Sequence, residues 1–532
     1  MRKNIRKAAA FAAVFFCLFV IIAVPAAAQD SSSGKSSTAA GAAGTAAADE
    51  GASAAGEAGQ AEPAPKPEVL AAGASALKSL IGPGVNQKDV LVLYKGAPAA
   101  CTAALQKALA LTAEGKWKSA YELLSAYDAD SADPYALAMR TEICVEGYVQ
   151  SEMHQHFALK DLGEGESLSE VRAGKEQFTP FDFDPVALCE AQTKAGITPP
   201  AVLERALGDY YYSVDENFEG GWVNSDQTII AGGVAHYIAA EKQGLKDALG
   251  FRRHGELMLK TGDAWQADAL LRASILLNAD DGSAHASLAE ALADEGQNDA
   301  ALAEVEKTLA LLPLSGRNPR FSAYVLGARI CRENQKVDES NAYIGRAEKE
   351  FSDIPNPGII HMLLALQDGA ADEANAAADK VYASFPTSPY VVRSILMVWL
   401  QNQDGDSPMA FLDRQLKAQD GKAENMAVLQ FYKAVLLNTV KGVAGNEEAI
   451  ALLDKAEANF KTAYKPDNEV FATIAQLKQE YADGIAQAKQ EAEDAAAQQA
   501  ASQGSKPADG SQSGSSTQSG TTQQSSGGTK AP

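Results

Sequence analysis

The sequence has few of the residues on which catalysis and metal binding most often depend. Six His and five Cys are spread over 532 residues, and no P-loop, G-x-S-x-G, H-E-x-x-H or G-x-G-x-x-G motif occurs. Basic residues are also in the minority, with 46 Lys and Arg against 69 Asp and Glu, and the formal net charge is -23. A charge of that sign repels nucleic acid and anionic lipid surfaces. We therefore expect a protein that is not an enzyme, holds no cofactor or metal and binds no nucleic acid.

The first 28 residues have the layout of an export signal. Four basic residues lie within the first seven positions, and an uninterrupted apolar run extends from Ala8 to Ala28. A charged start, an apolar stretch and small residues before the cleavage point characterise secretory signal peptides. We predict that residues 1–28 are removed and that the protein is exported to the periplasm or the extracellular space. The alternative is an uncleaved segment over residues 8–28, which is long enough to tether the chain to a membrane.

Two low-complexity segments flank a region with helical character. Residues 29–68 consist almost entirely of Ala, Gly, Ser, Thr, Pro and a few charged residues, and residues 500–532 are rich in Ser, Gly, Gln and Thr. Both segments lack the bulky apolar side chains that would offset the entropy lost on ordering, so we predict that both are disordered. In residues 69–499, apolar side chains recur three and four positions apart between short Gly, Asp or Pro breaks. This spacing predicts an all-α region.

The cysteines beyond the apolar run leave the redox state open. They are Cys101, Cys144, Cys189 and Cys331, and no C-x-x-C pair occurs among them. Export exposes a chain to an oxidising compartment, which favours disulfides, but three of these residues lie in apolar helical patterns where buried free thiols are common. The sequence does not select a pairing.

A 34-residue period runs through the middle of the chain. The turn centred on Gly262 recurs at Gly296, and each turn separates two apolar patterns of helical spacing. Around the second turn, characteristic residues keep fixed offsets: Leu288, Ala289, Leu292, Gly296, Ala301, Val305, Thr308 and Pro313. The preceding unit supplies Phe251, Gly255, Met258, Gly262, Ala267, Leu271 and Ser274. This pattern resembles the tetratricopeptide repeat, a pair of helices that stacks on its neighbours.

The resemblance covers most of residues 100–465. It implies a helical-hairpin solenoid, coiled as a right-handed superhelix, over residues 69–499. Two stretches break the pattern and are expected to form irregular insertions near residues 147–200 and 214–233. Residues 467–499 begin with an apolar stripe and then become polar, which is typical of a terminal capping helix.

The resemblance also implies a binding surface. In tetratricopeptide solenoids, fixed positions of the first helix in each unit line a groove that holds partner proteins. Carried onto this sequence, the candidate partner-binding residues at these positions are Arg205, Asp209, Tyr212, Arg252, Glu256, Lys260, Glu290, Asp294, Arg329, Arg332 and Arg393. Arg and Tyr are effective interface anchors, which favours a protein partner.

These expectations lead to two hypotheses of different classes. The first is a non-enzymatic, exported scaffold that mediates protein–protein interactions in a bacterial cell envelope. The alternative is a solute- or lipid-binding accessory protein of an envelope transport system, with an apolar channel lined by residues such as Tyr212, Leu259 and Met397. An open face with exposed Arg and Tyr would favour the scaffold, and a continuous apolar pore would favour the alternative. The oligomeric state stays open.

Overall fold

The computed structural model of the chain describes residues 72–77, 79–218, 225–315, 317–402 and 404–503. These residues are folded almost entirely into α-helices, which confirms the all-α prediction. Within these ranges, no helix is both long and apolar enough to cross a bilayer. The predicted signal segment, the predicted linker and most of the predicted tail lie outside the described residues.

Helices follow one another along the described part of the chain and are interrupted by one small sheet. In chain order, the elements are α1 (Ala72–Ser75), α2 (Gln87–Leu93), α3 (Ala99–Ala113), α4 (Trp117–Tyr127), α5 (Pro134–Gly147), β1 (Tyr148–Glu152), β2 (His156–Leu159), α6 (Leu168–Ala173), β3 (Phe181–Asp182), α7 (Pro185–Lys194), α8 (Ala201–Phe218), α9 (Asp226–Lys242), α10 (Ala248–Lys260), α11 (Ala264–Leu277), α12 (Gly282–Asp294), α13 (Asn298–Leu311), α14 (Arg317–Glu333), α15 (Val337–Glu350), α16 (Asn356–Gln367), α17 (Ala371–Ser384), α18 (Pro389–Gln401), α19 (Asp406–Ala418), α20 (Ala423–Lys441), a 3₁₀ turn (Gly442–Gly445), α21 (Asn446–Ala463) and α22 (Glu469–Gln503).

Consecutive helices pack in pairs, as the repeat pattern predicts. The pairs α10 with α11, α12 with α13 and α14 with α15 are helical hairpins joined by tight turns. Gly262 and Gly296 end the first helix of two hairpins with φ of 81° and 74°, a conformation that glycine adopts without strain. At the second turn the backbone N–H of Gln297 donates to the carbonyl of Leu292 at 2.8 Å, which satisfies a carbonyl at the helix end. In the next hairpin, Gln335 occupies the position that Gly262 and Gly296 have in the other two, with φ of 61°.

The small residues of the repeat lie where helices touch. Ala267, Ala289 and Ala301 are completely buried, and Ala267 and Ala301 belong to one apolar cluster with Leu271 and Leu292. A larger side chain at these positions would hold the helices apart, because protein interiors are close-packed. The repeat positions singled out in the sequence are therefore packing positions.

The chain divides into two compact units between Val381 and Tyr382. In the larger unit, the described residues form α1 to α16 and most of α17, with apolar clusters that follow the hairpins along the chain. In the smaller unit, Trp399 and Phe411 are fully buried with ring centroids 5.4 Å apart. There α20 packs on α21, and α22 packs on α21 in turn.

The predicted capping helix corresponds to α22. Its N-terminal part buries an apolar stripe, Val470, Ile474, Leu477 and Tyr481. Every residue from 491 to 499 is exposed, although the helix itself continues to Gln503. The change from apolar to polar along one helix therefore matches the expected pattern, and the helix ends a few residues later than predicted.

The first predicted insertion contains a three-stranded antiparallel sheet in the order β1, β2, β3, together with α6 and α7. Phe157 and Phe183 from this segment are buried in the apolar core formed with α3 to α9. The aromatic residues of the insertion thus fasten it to the helices. The second predicted insertion, at 214–233, is largely wrong, because α8 extends to Phe218 and α9 begins at Asp226.

The four cysteines beyond the N-terminal run are all free and buried. Burial raises the pKa of the Cys144 thiol well above its usual value, and it raises that of Cys101 to about 12 with help from Asp133. Thiols that are neutral and buried are poor nucleophiles and poor metal ligands. These residues therefore serve packing.

Candidate protein-binding face

Four consecutive first helices of the larger unit, α8, α10, α12 and α14, carry neighbouring polar side chains. Each of these helices contacts the next one in the series. We call the surface that they form the first-helix face, and its residues are Tyr212, Asp215, Glu216, Arg252, Glu256, Lys260, Ser287, Glu290, Asp294 and Arg329.

Glu256 connects three of these helices through hydrogen bonds. Its Oε2 accepts from the Tyr212 hydroxyl at 2.7 Å, and its Oε1 accepts from the Ser287 hydroxyl at 2.9 Å. Arg252, one turn earlier on α10, donates from Nη1 to Oε1 at 3.3 Å and also pairs with Asp281. The carboxylate of Glu256 is therefore fully engaged by donors of the protein itself.

Lys260 pairs α10 with the end of α8. Its ammonium donates to Asp215 and to Glu216, the second at 2.7 Å. Burial disfavours the charged amine, but these two hydrogen bonds outweigh it and raise the pKa of Lys260 above its ordinary value. Lys260 is thus a fixed cation that neutralises two carboxylates.

Glu290, Asp294 and Arg329 differ from their neighbours on this face. All three are exposed, and none makes a hydrogen bond or ion pair with another described residue. Burial by surrounding atoms raises the pKa of Glu290, as do the charges of Asp294 and Glu256, while Arg329 and Lys260 oppose the rise. The carboxyl of Glu290 is therefore partly shielded from water although the residue is exposed.

Arg205 and Asp209 were expected on the same face, but the structure buries both. Arg205 is 1% exposed, and its Nε donates to Asp247 Oδ2 at 2.8 Å. Its Nη1 lies 3.2 Å from Glu142 Oε1 on α5 and also donates to Asp209. We refer to these residues, with two more described next, as the buried ion network: Glu142, Glu146, Arg205, Asp209, Asp247 and Arg253.

The buried ion network is completed from α10. Arg253 lies 3.1 Å from Asp209 and donates to Glu146 at 2.8 Å. Burial and the charge of Asp209 raise the pKa of Glu142 well above its usual range. Burial acts in the same sense on Asp209, but Arg205 and Arg253 outweigh it and hold its pKa at about 2. The two arginines thus keep Asp209 charged in the interior.

The misplacement of Arg205 and Asp209 is an error of helix register. Counting from the helix starts matches Arg205 with Arg252, which is 47 residues later. In the structure Tyr212 meets Glu256 across the helices, an offset of 44 residues. A three-residue slip moves a side chain about 4.5 Å along a helix and about 60° around it, which is enough to exchange surface for core.

Two further predicted residues lie away from the first-helix face. Arg332 is buried and pairs with Asp368 at 2.8 Å and Glu373 at 2.5 Å, so it joins α14 to α16 and α17. Arg393 belongs to the smaller unit, where its guanidinium lies 6.0 Å from the centre of the Tyr390 ring. The other seven candidates lie on the first-helix face.

Sequence reasoning missed Asp215, Glu216 and Ser287 as members of this face. Ser287 lies 34 residues after Arg253, which is not at one of the carried-over groove positions, so the resemblance did not select it, although its hydroxyl donates to Glu256. Leu259, proposed for an apolar channel, packs instead on the apolar cluster of α10 to α14. In the described ranges, no group of three or more His, Cys, Asp or Glu side chains is arranged to hold a metal ion.

No protein-family model matches the sequence, and no curated protein matches it. Solved structures similar to this chain include the yeast Tom70, with 16% identity over 78% of this chain and 86% of Tom70, at a TM-score of 0.29. A tetratricopeptide repeat protein from Parabacteroides merdae has 13% identity over 48% of this chain and 94% of its own, at 0.28. YrrB, a tetratricopeptide protein with an unusual peptide-binding site, has 12% identity over 36% and 95%, at 0.24. These TM-scores are below 0.5, and the helical-hairpin architecture rests on the helix pairs of the chain itself.

Proposed function

We propose that this protein is a non-enzymatic, exported scaffold of the bacterial cell envelope that holds a segment of a partner protein on its first-helix face. The proposal rests on a difference among the charged residues of that face, some of which are paired within the protein and some of which are not. Glu256 and Lys260 are satisfied by the protein's own groups, whereas Glu290, Asp294 and Arg329 are exposed without a hydrogen bond or ion pair to any described residue. Charged side chains held at fixed positions on stacked helices are suited to recognise an extended chain.

Photo-crosslinking tests where the partner binds. A photoreactive amino acid replaces Ala293 on α12 or Ser322 on α14, and matched controls carry it at Ala269 on α11 or Ala310 on α13, which are exposed on second helices. We expect the same crosslinked protein from both first-helix positions in intact cells, and a much lower yield from the controls. Equal yields from both sets, or no crosslink from the first-helix positions, would contradict the proposal.

Export is tested on the native chain. The N-terminal sequence supports removal of residues 1–28, because it combines four basic residues with a long apolar run. Cell fractionation followed by the intact mass of the recovered protein separates the two outcomes. A mass that lacks residues 1–28 in the soluble envelope fraction is expected. Full-length protein in the membrane fraction would show instead that residues 8–28 act as a tether.

A further inference from the structure

His285 is a buried titratable residue that takes no part in the first-helix face. It lies in the first turn of α12 and is 4% exposed. Its Nδ1 lies 2.5 Å from Glu304 Oε2 on α13, and its Nε2 lies 3.1 Å from the carbonyl oxygen of Ala279. Ala279 belongs to the turn between α11 and α12. The imidazole therefore connects that turn to α13.

Both atoms that face the ring nitrogens of His285 are hydrogen-bond acceptors. A backbone carbonyl oxygen has no hydrogen to donate. Burial acts to raise the pKa of Glu304, but hydrogen bonds from Lys307 and His285 outweigh it and lower that pKa. The Lys307 ammonium donates to Glu304 Oε1 at 2.7 Å, so Oε2 is the oxygen that faces His285. Glu304 thus accepts at both oxygens and donates from neither.

A neutral imidazole cannot satisfy two acceptors. It carries one N–H, and its other nitrogen is itself an acceptor, so one of the two hydrogen bonds of His285 is lost. The doubly protonated ring has an N–H on each nitrogen and can donate to Glu304 and to Ala279 together. The hydrogen bonds at His285 are therefore complete only when the ring is an imidazolium.

Two other buried histidines have different surroundings. His254 on α10 contacts Glu241 through Nδ1 at 2.8 Å, whereas its Nε2 is buried without a hydrogen-bond partner among the described residues. His154 contacts the hydroxyl of Ser213 through Nε2, and a hydroxyl can donate as well as accept. A neutral ring satisfies both arrangements. His285 differs from them because an acceptor lies at each of its nitrogens.

The elements packed against His285 carry further charged groups. Besides Glu304, these are Lys307 on α13, Asp268 and Arg272 on α11, Arg252 on α10, and Asp281 at the start of α12. Arg252 pairs with Asp281, and Arg272 pairs with Asp268. Over the ranges that the structure describes, α14 contributes no ion pair to His285 or to Glu304. Glu304 is thus the carboxylate that the ring of His285 meets directly.

We propose that the turn between α11 and α12 is held to α13 by a pH-sensitive contact, in which doubly protonated His285 joins Glu304 to Ala279. When the ring loses a proton, one acceptor loses its hydrogen bond and the turn is held less firmly. The contact also needs the Glu304 carboxylate. Because the pKa of Glu304 is lowered, its contribution is complete above pH 4.5 and is lost as the pH falls further. The contact therefore acts in a window of pH, which ends where His285 becomes neutral.

Histidine NMR of the full chain tests the protonation of the ring. The chain has six His, and the ¹³Cε1 signal of His285 is the one that disappears in His285→Gln. We expect this signal to change from imidazolium to neutral imidazole as the pH rises. In Glu304→Gln the midpoint should move to lower pH by at least about half a pH unit, because the carboxylate stabilises the charged ring. A ring of His285 that stays neutral from about pH 5 to pH 9 would overturn the inference.

Asp299→Asn is the control for Glu304→Gln. It also removes a carboxylate from α13, but Asp299 is exposed and has no hydrogen bond to His285. This variant should leave the midpoint of His285 almost unchanged. Equal shifts of the midpoint in the two variants would mean that the general charge of the helix, rather than the contact with Glu304, sets the protonation of the ring, and the inference would fail.

Urea denaturation tests the effect on stability. Gln can donate and accept a hydrogen bond but does not titrate, so His285→Gln removes the pH dependence of the contact. The unfolding constant of the variant, relative to that of the parent, should be about tenfold larger at about pH 5.5 than at about pH 8.5. His254→Gln is the matched control, since His254 is also buried beside one carboxylate, and its ratio should change less than about threefold. The same pH dependence in both variants, or none in His285→Gln, would contradict the proposal.

Hydrogen exchange measured by mass spectrometry locates the effect. The backbone amides of Asp281, Ser283, Ala284 and His285 are hydrogen-bonded at the start of α12. After correction for the intrinsic rate, their protection should fall at least about fivefold from pH 5.5 to pH 8.5 in the parent and stay constant in His285→Gln. A fall of equal size in the variant would show that the turn responds to pH through other groups.

Discussion

Arg205 and Asp247 form an ion pair in the protein interior, with Arg205 Nε 2.8 Å from Asp247 Oδ2 and both side chains at most 2% exposed. Removal of one partner leaves an uncompensated buried charge, which is far more costly than loss of the attraction itself. Arg205→Met is therefore expected to lower the free energy of unfolding by about 3–5 kcal/mol. Urea denaturation followed by circular dichroism measures the change.

The control for Arg205→Met is Arg272→Met. Arg272 pairs with Asp268 on the surface of α11, with its own side chain 53% exposed. Exposed pairs contribute about 0–1 kcal/mol, so this variant should be almost as stable as the parent. Similar losses of unfolding free energy in the two variants would show that burial of the Arg205 ion pair does not increase its contribution to stability.

Gly147 and Trp117 give a second prediction. A Cβ on Gly147 would lie 2.3 Å from Cε3 of the buried Trp117 ring, so Gly147→Ala forces the ring or α5 to move. We expect a loss of about 1–3 kcal/mol in unfolding free energy, measured by thermal and urea denaturation.

Gly345 lies exposed within α15 with open space around its Cα. Gly345→Ala should therefore stabilise the protein by about 0.5–1 kcal/mol, and a loss there of the size seen at Gly147 would refute the steric explanation.

His154 makes the larger unit sensitive to acid. Its Nε2 lies 2.8 Å from Ser213 Oγ, and burial, with a smaller effect of Arg172, lowers its pKa from 6.5 to about 3. The unfolded chain binds a proton near pH 6.5 and the folded chain does not, so stability is complete above pH 6.5 and falls as the pH drops toward 3. The slope from this residue approaches about 1.4 kcal/mol per pH unit.

The variant His154→Asn isolates that contribution. Asn tolerates the φ of 50° found at His154 and does not titrate in this range. Urea denaturation at several pH values should show a flatter decline between pH 6.5 and 4 for the variant than for the parent. Parallel declines would mean that the acid sensitivity arises from other groups.

Ala301 tests the packing role of the repeat positions. Ala301 lies on α13 and is completely buried, as a member of the apolar cluster that also contains Leu292 of α12. Ala301→Leu should overpack this contact and cost about 1–3 kcal/mol in unfolding free energy. At the exposed Ala269 of α11, the same substitution should change stability by less than about 0.5 kcal/mol. Urea denaturation of both variants decides whether burial, rather than helix propensity, sets the effect.

The sequence was sufficient where structure depends on neighbouring residues. Gly262 and Gly296 mark hairpin turns, and Ala301 marks a helix contact, because a repeat brings the same local pattern back to the same environment. Seven of the candidate binding residues also lie on one face for this reason. The turns and helix contacts follow from the repeat period, and the candidate binding residues follow from positions carried over from the tetratricopeptide resemblance.

Long-range pairing could not be read in the same way. Arg253 pairs with Glu146, which is 107 residues earlier, and no local pattern indicates that partner. Arg205 and Asp209 were assigned to the surface because their repeat positions were counted from the start of α8, whereas their burial depends on acids and arginines contributed by α5 and α10. The sheet of the first insertion likewise carries Phe157 and Phe183, which are buried in a core built by distant helices.

The buried ion network also restricts where the larger unit can be shortened. Repeat arrays can usually be shortened one unit at a time, because each unit touches only its neighbours. Here Glu142 on α5 and Arg253 on α10 meet through Arg205 and Asp209 on α8, so a boundary placed between these helices leaves charges without partners. We therefore expect residues 134–260 to unfold together rather than one repeat at a time.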